Sequence, residues 1–350
     1  MTTKTLTIRY LSKTVDCLGQ SLRLTKRHRL SVLIWVLSWA TCCTEPFAQS
    51  AFSYVDIPSD ATQNALGGNV VSLVNSQSLS FFQNPALLDS SQNNTFGIGV
   101  SPVFGQGLYT AVSYAFQDGK KRQWAVGFRG ISFGEFAGTD AVGNATQNFG
   151  AGNVLLTVAH SRKIKYITFG ASAKIVTSFI ESYNSTAFLF DFGGVFQHPE
   201  KDLSFGLTAR NLGFTITHFV DVQQQLPFDL LAGLSFKPEY MPVRFTFTAD
   251  RLYRFKSLNE EETLGNEFSN AQQLFGHISG GAEFLFSERI VPMLGYNYRT
   301  AQEMNINSES NFSGFSYGLR FQTNRFQLAA SRTNYLPQIG RWVFSGSWGF

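Results

Sequence analysis

The last nine residues are Trp342-Val-Phe344-Ser-Gly346-Ser-Trp348-Gly-Phe350, with every bulky aromatic residue at an even position. Successive side chains of an extended strand point to opposite faces, so Trp342, Phe344, Trp348 and Phe350 share one face. A soluble domain rarely leaves such a face exposed, whereas the outer face of a transmembrane barrel contacts lipid. The segment therefore predicts the closing strand of an outer-membrane β-barrel. The alternative from these nine residues alone is a buried edge strand of a soluble β-sandwich.

Residues 1–48 have the composition of a secretory signal peptide. Seven Lys or Arg residues precede Leu30, and the apolar run 30–40 is too short for a stable transmembrane anchor. Pro46-Phe47-Ala48 supplies a small-residue cleavage site. We expect cleavage after Ala48, with an unusually long positively charged n-region.

Removing this segment changes the charge and the cysteine content of the chain. The full chain has a formal net charge of +4, whereas residues 49–350 hold 21 basic and 22 acidic residues. A basic surface for nucleic acid is therefore not expected. Cys17, Cys42 and Cys43 all precede the cleavage site, so the mature chain has neither a disulfide nor a thiolate ligand for a metal.

The rest of the chain alternates apolar and polar residues in a series of short runs, as β-strands with one apolar face do. Several runs approach the nine to eleven residues with which a tilted strand crosses a bilayer. The sequence predicts about fourteen antiparallel strands in a barrel formed by residues 95–350. The predicted strands are 96–101, 108–116, 123–133, 153–161, 166–177, 186–196, 203–211, 228–236, 243–252, 277–286, 290–299, 314–321, 326–333 and 342–350.

The lengths of the connections support a membrane barrel over a soluble sandwich. Connections after even-numbered strands are short and rich in turn formers and charge. Long connections occur only after odd-numbered strands, at 134–152, 212–227, 253–276 and 300–313. A transmembrane barrel has short turns at one end and longer loops at the other. A soluble β-sandwich gives no reason for this sorting.

Residues 49–94 lack the strand pattern and are predicted to form a separate N-terminal segment, which we call the hatch. The stretch 61–68 has helix character and ends at Gly67-Gly68. Pro85 fixes its own φ and disfavours the helical region for Asn84, so Asn84-Pro85 predicts a corner at which Ala86 opens a helical turn. The hatch is either a loop before the first strand or a plug inside the barrel mouth.

This order of features resembles the PorV/FadL-like family of outer-membrane barrels, in which an N-terminal hatch carries an Asn-Pro-Ala tripeptide. Asn84, Pro85 and Ala86 match that tripeptide, and Trp342, Phe344, Trp348 and Phe350 resemble the C-terminal signal by which such barrels are assembled. Five blocks are similar to the members of the family that serve type IX secretion in Bacteroidota. They are 65–73, 80–88, 134–152, 172–187 and 226–238.

The resemblance implies a non-enzymatic outer-membrane protein without a cofactor, whose N-terminus lies in the periplasm. Its implied partners are outer-membrane lipid and the PorZ-, PorU- and PorV-like proteins of a cell-surface attachment complex, in which it would hold the PorZ-like protein. The loop 253–276 is the candidate docking loop for such a partner. Its acidic residues are Glu260, Glu261, Glu262 and Glu267. The alternative for this acidic run is a solvated loop tip.

Enzymatic chemistry is not expected. Gly130-Ile-Ser132-Phe-Gly134 matches the pattern of a nucleophile elbow, but that motif needs a strand, a sharp turn and a helix, and Ser132 precedes a Gly-rich loop. An outer-membrane lipase using Ser132 and His160 is the enzymatic alternative. The mature histidines are isolated in the sequence, and it contains neither a metal-binding His pair nor a P-loop.

The main alternative to a scaffold is a FadL-like channel for hydrophobic small molecules. A channel requires an apolar lumen that the hatch gates, whereas a scaffold permits a polar lumen that is tightly filled. If the aromatic faces contact lipid, the inward positions carry charges and hydroxyl groups and favour the scaffold. These positions are Tyr109, Ser113, Arg129, Lys174, Asp191, Arg210, Asp250, Glu283 and Arg320.

Overall fold

A computed structural model describes residues 52–103, 107–118, 122–140, 142–219, 225–254, 269–304, 312–336 and 339–350. In these ranges no helix combines the length and the apolar character needed to cross a membrane.

Fourteen antiparallel strands form a closed barrel in which each strand pairs with its neighbours in the sequence and β1 pairs with β14. This confirms the predicted fold class and the predicted number of strands. The strands are β1 (Thr95–Pro102), β2 (Leu108–Asp118), β3 (Arg122–Phe136), β4 (Phe149–Ile164), β5 (Ile167–Ile180), β6 (Tyr183–Gln197), β7 (Leu203–Thr217), β8 (Asp229–Phe236), β9 (Val243–Ala249), β10 (Ile278–Phe284), β11 (Ile290–Asn297), β12 (Phe315–Gln322), β13 (Phe326–Asn334) and β14 (Gly340–Gly349).

The two faces of the barrel wall differ as the alternation predicts. Along β4, Val154, Leu156 and Val158 point outward and are exposed, while Leu155 and Thr157 point inward and are buried. Outward apolar side chains recur in this way around the barrel. A monomeric soluble protein rarely exposes so much contiguous apolar surface, whereas the hydrocarbon of a membrane accommodates it.

Strands β3 to β7 are 14 to 16 residues long and rise above their neighbours at the end of the barrel that carries the long loops. Pairing of β2 with β3 stops at Leu108 and Ser132, but β3 continues to Phe136. Pairing of β7 with β8 stops at Arg210 and Asp229, but β7 continues to Thr217. We call the projecting part of these five strands the rim wall.

Two predicted loops are shorter than the sequence indicated, because parts of them belong to the rim wall. Residues 212–217 of the loop predicted at 212–227 are strand, and the loop predicted at 134–152 shrinks to 137–148. Neighbouring strands extend together there and keep their backbone groups paired. The connection from β5 to β6 is only the two residues 181–182, although it follows an odd-numbered strand. Short helices occupy parts of the other two predicted loops: α2 (Asn270–Phe275) and α3 (Tyr298–Glu303).

The hatch precedes β1 and consists of short helical turns. Asp60 caps helix α1 (Ala61–Ala65), because its side chain accepts a hydrogen bond from the backbone of Thr62. The chain then leaves the helix through Gly67 and Gly68, which both have positive φ angles. The 3-10 turns of the hatch are Ser53–Asp56, Ser80–Phe82, Pro85–Leu87 and Ser90–Gln92.

Candidate functional site: a lumen filled by the hatch

The hatch occupies the lumen, and its side chains are buried against the inward faces of the strands. Helix α1 contacts β11 to β14 on one side of the barrel, and the turn Pro85–Leu87 contacts β4 to β6 on the other. Nearly every described residue between 58 and 88 is buried or half-buried. The segment is thus held from opposite sides of the wall.

The Asn84-Pro85-Ala86 turn rests on β5 and β6. The Asn84 side chain accepts a hydrogen bond from the Ala86 backbone N–H at 2.9 Å and donates one to the Val71 carbonyl at 2.8 Å. Gly170 of β5 and Gly193 of β6 lie against this turn. A Cβ at Gly170 would collide with the Pro85 and Ala86 backbone, and a Cβ at Gly193 would collide with Asn84 Oδ1. The absence of a side chain at both glycines leaves the space that the tripeptide occupies, which we call its seat.

Helix α1 is held on the opposite wall by hydrogen bonds to inward-facing serines. Ser345 of β14 donates to Asp60 Oδ1 at 2.9 Å and accepts from the Ala61 backbone N–H at 3.0 Å. The Asn64 side chain donates to Ser331 of β13 at 3.1 Å. Burial raises the pKa of Asp60 above its ordinary value, although the hydrogen bonds from Thr62 and Ser345 act in the opposite direction.

Buried charges are paired across neighbouring strands. Lys174 Nζ of β5 lies 2.5 Å from Asp191 Oδ2 of β6, and both side chains are almost completely buried. Asp191 also accepts hydrogen bonds from the Ser172 hydroxyl and the Asn211 backbone N–H. These donors compensate the loss of hydration that burial imposes on the pair.

A second ionic group links the hatch to β7 and β8. Arg210 Nη2 lies 3.2 Å from Asp229 Oδ2 and 3.5 Å from Asp56 Oδ1 of the hatch. Arg210 also donates a hydrogen bond to the hatch side chain of Gln83. On this wall, polar contacts hold the hatch in place.

Three further ion pairs lie on or next to strands β9 to β12. Glu283 of β10 pairs with Arg320 at 2.7 Å and with Arg244 at 3.3 Å. Asp250 pairs with Arg299 at 3.0 Å and accepts a hydrogen bond from the hatch side chain of Asn69. The inward positions predicted to carry charge are therefore buried and mostly paired.

The lumen is not uniformly polar, which corrects the interior expected from the sequence. The largest buried apolar cluster joins the hatch to the inward faces of β2 to β6. The strand members of this apolar strip are Tyr109, Ala111, Ala115, Ala125, Ile131, Leu155, Ala159, Val176, Ala187 and Leu189. Arg129 and the Lys174–Asp191 pair interrupt it. The half of the lumen formed by β2 to β6 thus combines this apolar strip with buried polar residues, whereas the other half is mainly polar.

Two hatch phenyl rings cover the lower part of the apolar strip. Phe81 and Phe82 stack with their ring centroids 4.3 Å apart, and both are buried. The guanidinium of Arg129 lies 4.5 Å from the centroid of the Phe82 ring and donates to the Val55 carbonyl. The buried cation therefore contacts the ring face and one hatch carbonyl, while Arg129 Nε and Nη2 have no hydrogen-bond partner among the described residues.

A layer of buried polar residues separates the apolar strip from the inner face of the rim wall: Asn153, Ser178 and Ser185, which pair directly across β4, β5 and β6. Directly paired residues share a face, so the pairs Ala151–Ile180, Ile180–Tyr183 and Phe136–Phe149 lie on the same side as buried Ala151. Ile180 and Tyr183 are about half exposed, at 49% and 53%. We call Phe136, Phe149, Ile180 and Tyr183 the rim patch. The rim patch is thus an apolar surface at the mouth, one polar layer above the apolar strip.

The remaining predicted site residues lie elsewhere. Trp342, Phe344, Trp348 and Phe350 are exposed on the outer side of the barrel and stack as two pairs, 342 with 344 and 348 with 350. The candidate docking loop residues Glu260, Glu261, Glu262 and Glu267 lie outside the described residues.

Ser132 of β3 and His160 of β4 lie far apart along the barrel wall and do not form a catalytic pair. Ser132 pairs with Gly152, whereas His160 pairs with Trp124, eight residues further along β3. At about 3.3 Å per residue the two levels are about 26 Å apart. His160 instead stacks on Trp124. In the part of the chain that the structure covers, no three His, Cys, Asp or Glu side chains group in a way that could hold a metal ion.

A closed fourteen-stranded barrel with an apolar outer face and a hatch-filled lumen belongs to the class of outer-membrane β-barrels. No protein-family model matches the chain, and no curated protein matches it.

The chain is similar to solved structures of outer-membrane proteins. A deltaS2 mutant of TodX, a monoaromatic hydrocarbon channel, matches with a TM-score of 0.53 at 12% identity, covering 84% of this chain and 100% of that one. A deltaS2S3 mutant of the same channel gives a TM-score of 0.49 at 12% identity over 83% of this chain and 98% of that one. Omp33 from Acinetobacter baumannii gives a TM-score of 0.36 at 8% identity, covering 74% of this chain and 98% of that one. At these identities the likeness concerns the fold alone.

Proposed function

We propose that the protein resides in the bacterial outer membrane and admits small hydrophobic molecules, with the hatch as its gate. The observation that carries this proposal is the buried apolar cluster that runs from Leu155 and Val176 to the rings of Phe81 and Phe82, below the rim patch. A hydrophobic molecule captured at the rim patch would cross one layer of polar side chains and would then keep apolar contact along much of the strip. The fold shared with a monoaromatic hydrocarbon channel agrees with this proposal.

The gate would open when the hatch moves away from the wall formed by strands β2 to β6. The phenyl rings meet mostly small or aliphatic side chains there, such as Ala125 and Ala159. The opposite wall holds α1 through the hydrogen bonds of Ser345, and Arg210 of β7 pairs with Asp56 of the hatch. The hatch would thus stay attached to the polar half while its apolar contacts and the Asn84-Pro85-Ala86 turn separate from β2 to β6. The N-terminus would lie on the periplasmic side, at the short-turn end.

The test measures uptake of radiolabelled toluene by cells with a lipopolysaccharide-bearing outer membrane that lack their own hydrocarbon channels. Expression of the barrel should accelerate uptake. Val176→Thr keeps the side-chain shape but places a hydroxyl in the apolar strip, which raises the barrier by about 1 kcal/mol or more and slows uptake about five-fold. The matched control is Thr208→Val on the polar half, which should leave uptake unchanged. Equal uptake with and without the barrel would exclude this function.

The second candidate is a PorQ-like scaffold of the type IX secretion system, which would anchor a PorZ-like protein together with PorU- and PorV-like partners. The five sequence blocks and the Asn84-Pro85-Ala86 seat favour it, as does the network that fixes the hatch. Breaking one buried ion pair by removing one partner costs about 3 to 5 kcal/mol, which suits a permanent plug. In affinity purification from detergent-solubilised outer membrane, co-purification of a sortase-like protease or a PorZ-like protein would support the scaffold. A barrel that purifies alone would count against it.

A further inference from the structure

A groove runs across the outer surface of the barrel where β12, β13, β14 and β1 lie side by side. Its upper part has a volume of 460 Å³ and is lined by apolar side chains that include Val100, Leu319 and Phe344. Its lower part has a volume of 1650 Å³ and reaches the short turns β10–β11 and β12–β13. Both parts share Ile98, Leu328 and Gly346, so they form one continuous groove.

Gly346 creates the depression in the middle of this groove. It lies on the outward face of β14, between the bulky outward residues Phe344 and Trp348. A side chain at this position would project between Leu328 of β13 and Ile98 of β1, whose nearest atoms lie 3.1 and 3.8 Å from a Cβ built there. Leu328 and Ile98 close over this position and Gly346 is buried, so an acyl chain would lie on those two side chains, in the low part of the wall between Phe344 and Trp348.

The lower end of the groove is charged. Arg289 and Glu288 from the β10–β11 turn and Arg325 from the β12–β13 turn line it, and all three residues are exposed. The polar side chains of Gln322 and Asn324 lie between the two turns. Two guanidinium groups and one carboxylate match a headgroup that combines a phosphate with an ammonium group.

The two turns are fixed to neighbouring strands by backbone hydrogen bonds. The Gln322 N–H donates to the Arg289 carbonyl at 2.8 Å, and the Gln322 side chain donates to the Glu288 carbonyl at 2.8 Å. The Gly349 N–H donates to the Arg325 carbonyl at 2.8 Å. The charged side chains therefore extend from a fixed backbone, which reduces the entropy lost when they bind a ligand.

The length of the groove fits one leaflet of a bilayer. Ala330 lines the apolar end and Arg325 the charged end of β13, five residues apart. At about 3.4 Å per residue this distance is about 17 Å. Half of a hydrocarbon core of about 30 Å is about 15 Å. A lipid whose headgroup lies at the short turns would thus have its acyl chain along the whole groove.

We propose that this groove binds one glycerophospholipid with a zwitterionic headgroup, phosphatidylethanolamine being the chemical type. Arg289 and Arg325 bind the phosphate, Glu288 binds the ammonium group, and an acyl chain lies over Gly346. The site would be at the leaflet on the short-turn side. The inference rests on the outer-membrane location proposed above, but not on transport through the lumen, because the groove lies outside the wall.

The experiment is native mass spectrometry of the delipidated barrel in detergent, titrated with palmitoyl-oleoyl-phosphatidylethanolamine. One bound lipid is expected. The double variant Arg289→Gln/Arg325→Gln should weaken binding about thirty-fold, since each arginine near a lipid phosphate contributes about a five-fold effect. Gly346→Leu fills the low part of the wall and should abolish binding of that one lipid. Arg162→Gln, which changes an exposed arginine near another short turn, is the matched control and should bind as the parent does.

Three results would overturn the proposal: unchanged affinity in the double arginine variant, unchanged affinity in Gly346→Leu, or equally tight binding of glycerophosphoethanolamine, which has the headgroup but no acyl chains. The last result would assign the site to a free phosphate ester. Preferential retention of lipopolysaccharide over phosphatidylethanolamine in competition would also overturn it. Toluene uptake measured on the same variants separates this question from transport, since none of these residues lines the apolar strip.

Discussion

Gly193→Ala tests how tightly the hatch fits the wall. The added methyl group would collide with Asn84 Oδ1 and would lie 3.3 Å from Pro85 Cδ. Overpacking of a filled interior costs about 1 to 3 kcal/mol. Displacement of Asn84 also weakens its hydrogen bond from Ala86, for which a typical contribution is about 1 kcal/mol. Docking of the hatch should therefore weaken by about 2 to 4 kcal/mol in total.

Hydrogen exchange measures this loss directly, because the hatch amides exchange when the segment undocks. A weakening of about 2 to 4 kcal/mol corresponds to exchange about 30 to 1000 times faster in a peptide covering 80–88, with barrel strands unaffected. The control is Gly194→Ala, the same change one residue later, where a Cβ meets nothing within 4 Å. Equal exchange in the two variants would refute the close seat of the tripeptide.

Two further predictions concern buried charges. Lys174→Met leaves Asp191 buried without its cation and should destabilise the barrel by about 3 to 5 kcal/mol in denaturant unfolding. The double variant Lys174→Met/Asp191→Leu should recover most of that loss. A double variant as unstable as the single one would contradict the pairing. A carboxyl whose pKa is higher in the folded protein contributes stability while it is protonated and loses it as the pH rises through the folded pKa. Because burial raises the pKa of Asp60, Asp60→Asn should be more stable than the parent at neutral pH and show a flatter dependence on pH above about 4. A parent whose stability rises with pH in that range would contradict it.

The strands could be predicted because each buries one face against the hatch and exposes the other, which imposes a period of two on the sequence. In β4, for example, Val154, Leu156 and Val158 alternate with Leu155 and Thr157. The rim wall was missed in part because Gly134 and Gly150 to Gly152 interrupt the pattern. There the pairing of neighbouring strands, which is a long-range property, extends the sheet.

For the lumen, the sequence predicted only which residues point inward and not how they pair. The charged residues were correctly placed inward, but pairing Lys174 with Asp191 requires the register of the β5–β6 hairpin, which depends on the tight turn at 181–182. That turn was predicted as a longer connection. The apolar strip was missed because it is built largely from alanines, which give a weak hydrophobic signal on each strand. Inward glycines such as Gly170 and Gly193 were the available indication of close approach by the hatch.

The most direct test of the gating account is a reversible lock between the hatch and the wall. Ser78 of the hatch and Ser113 of β2 have their hydroxyl oxygens 3.3 Å apart, which suits a disulfide in Ser78→Cys/Ser113→Cys. In cells expressing this variant, the account predicts that oxidation stops toluene uptake and that a reductant restores it, while each single variant transports under both conditions. Uptake by the oxidised double variant at the rate of the reduced one would contradict the claim that the hatch is the gate.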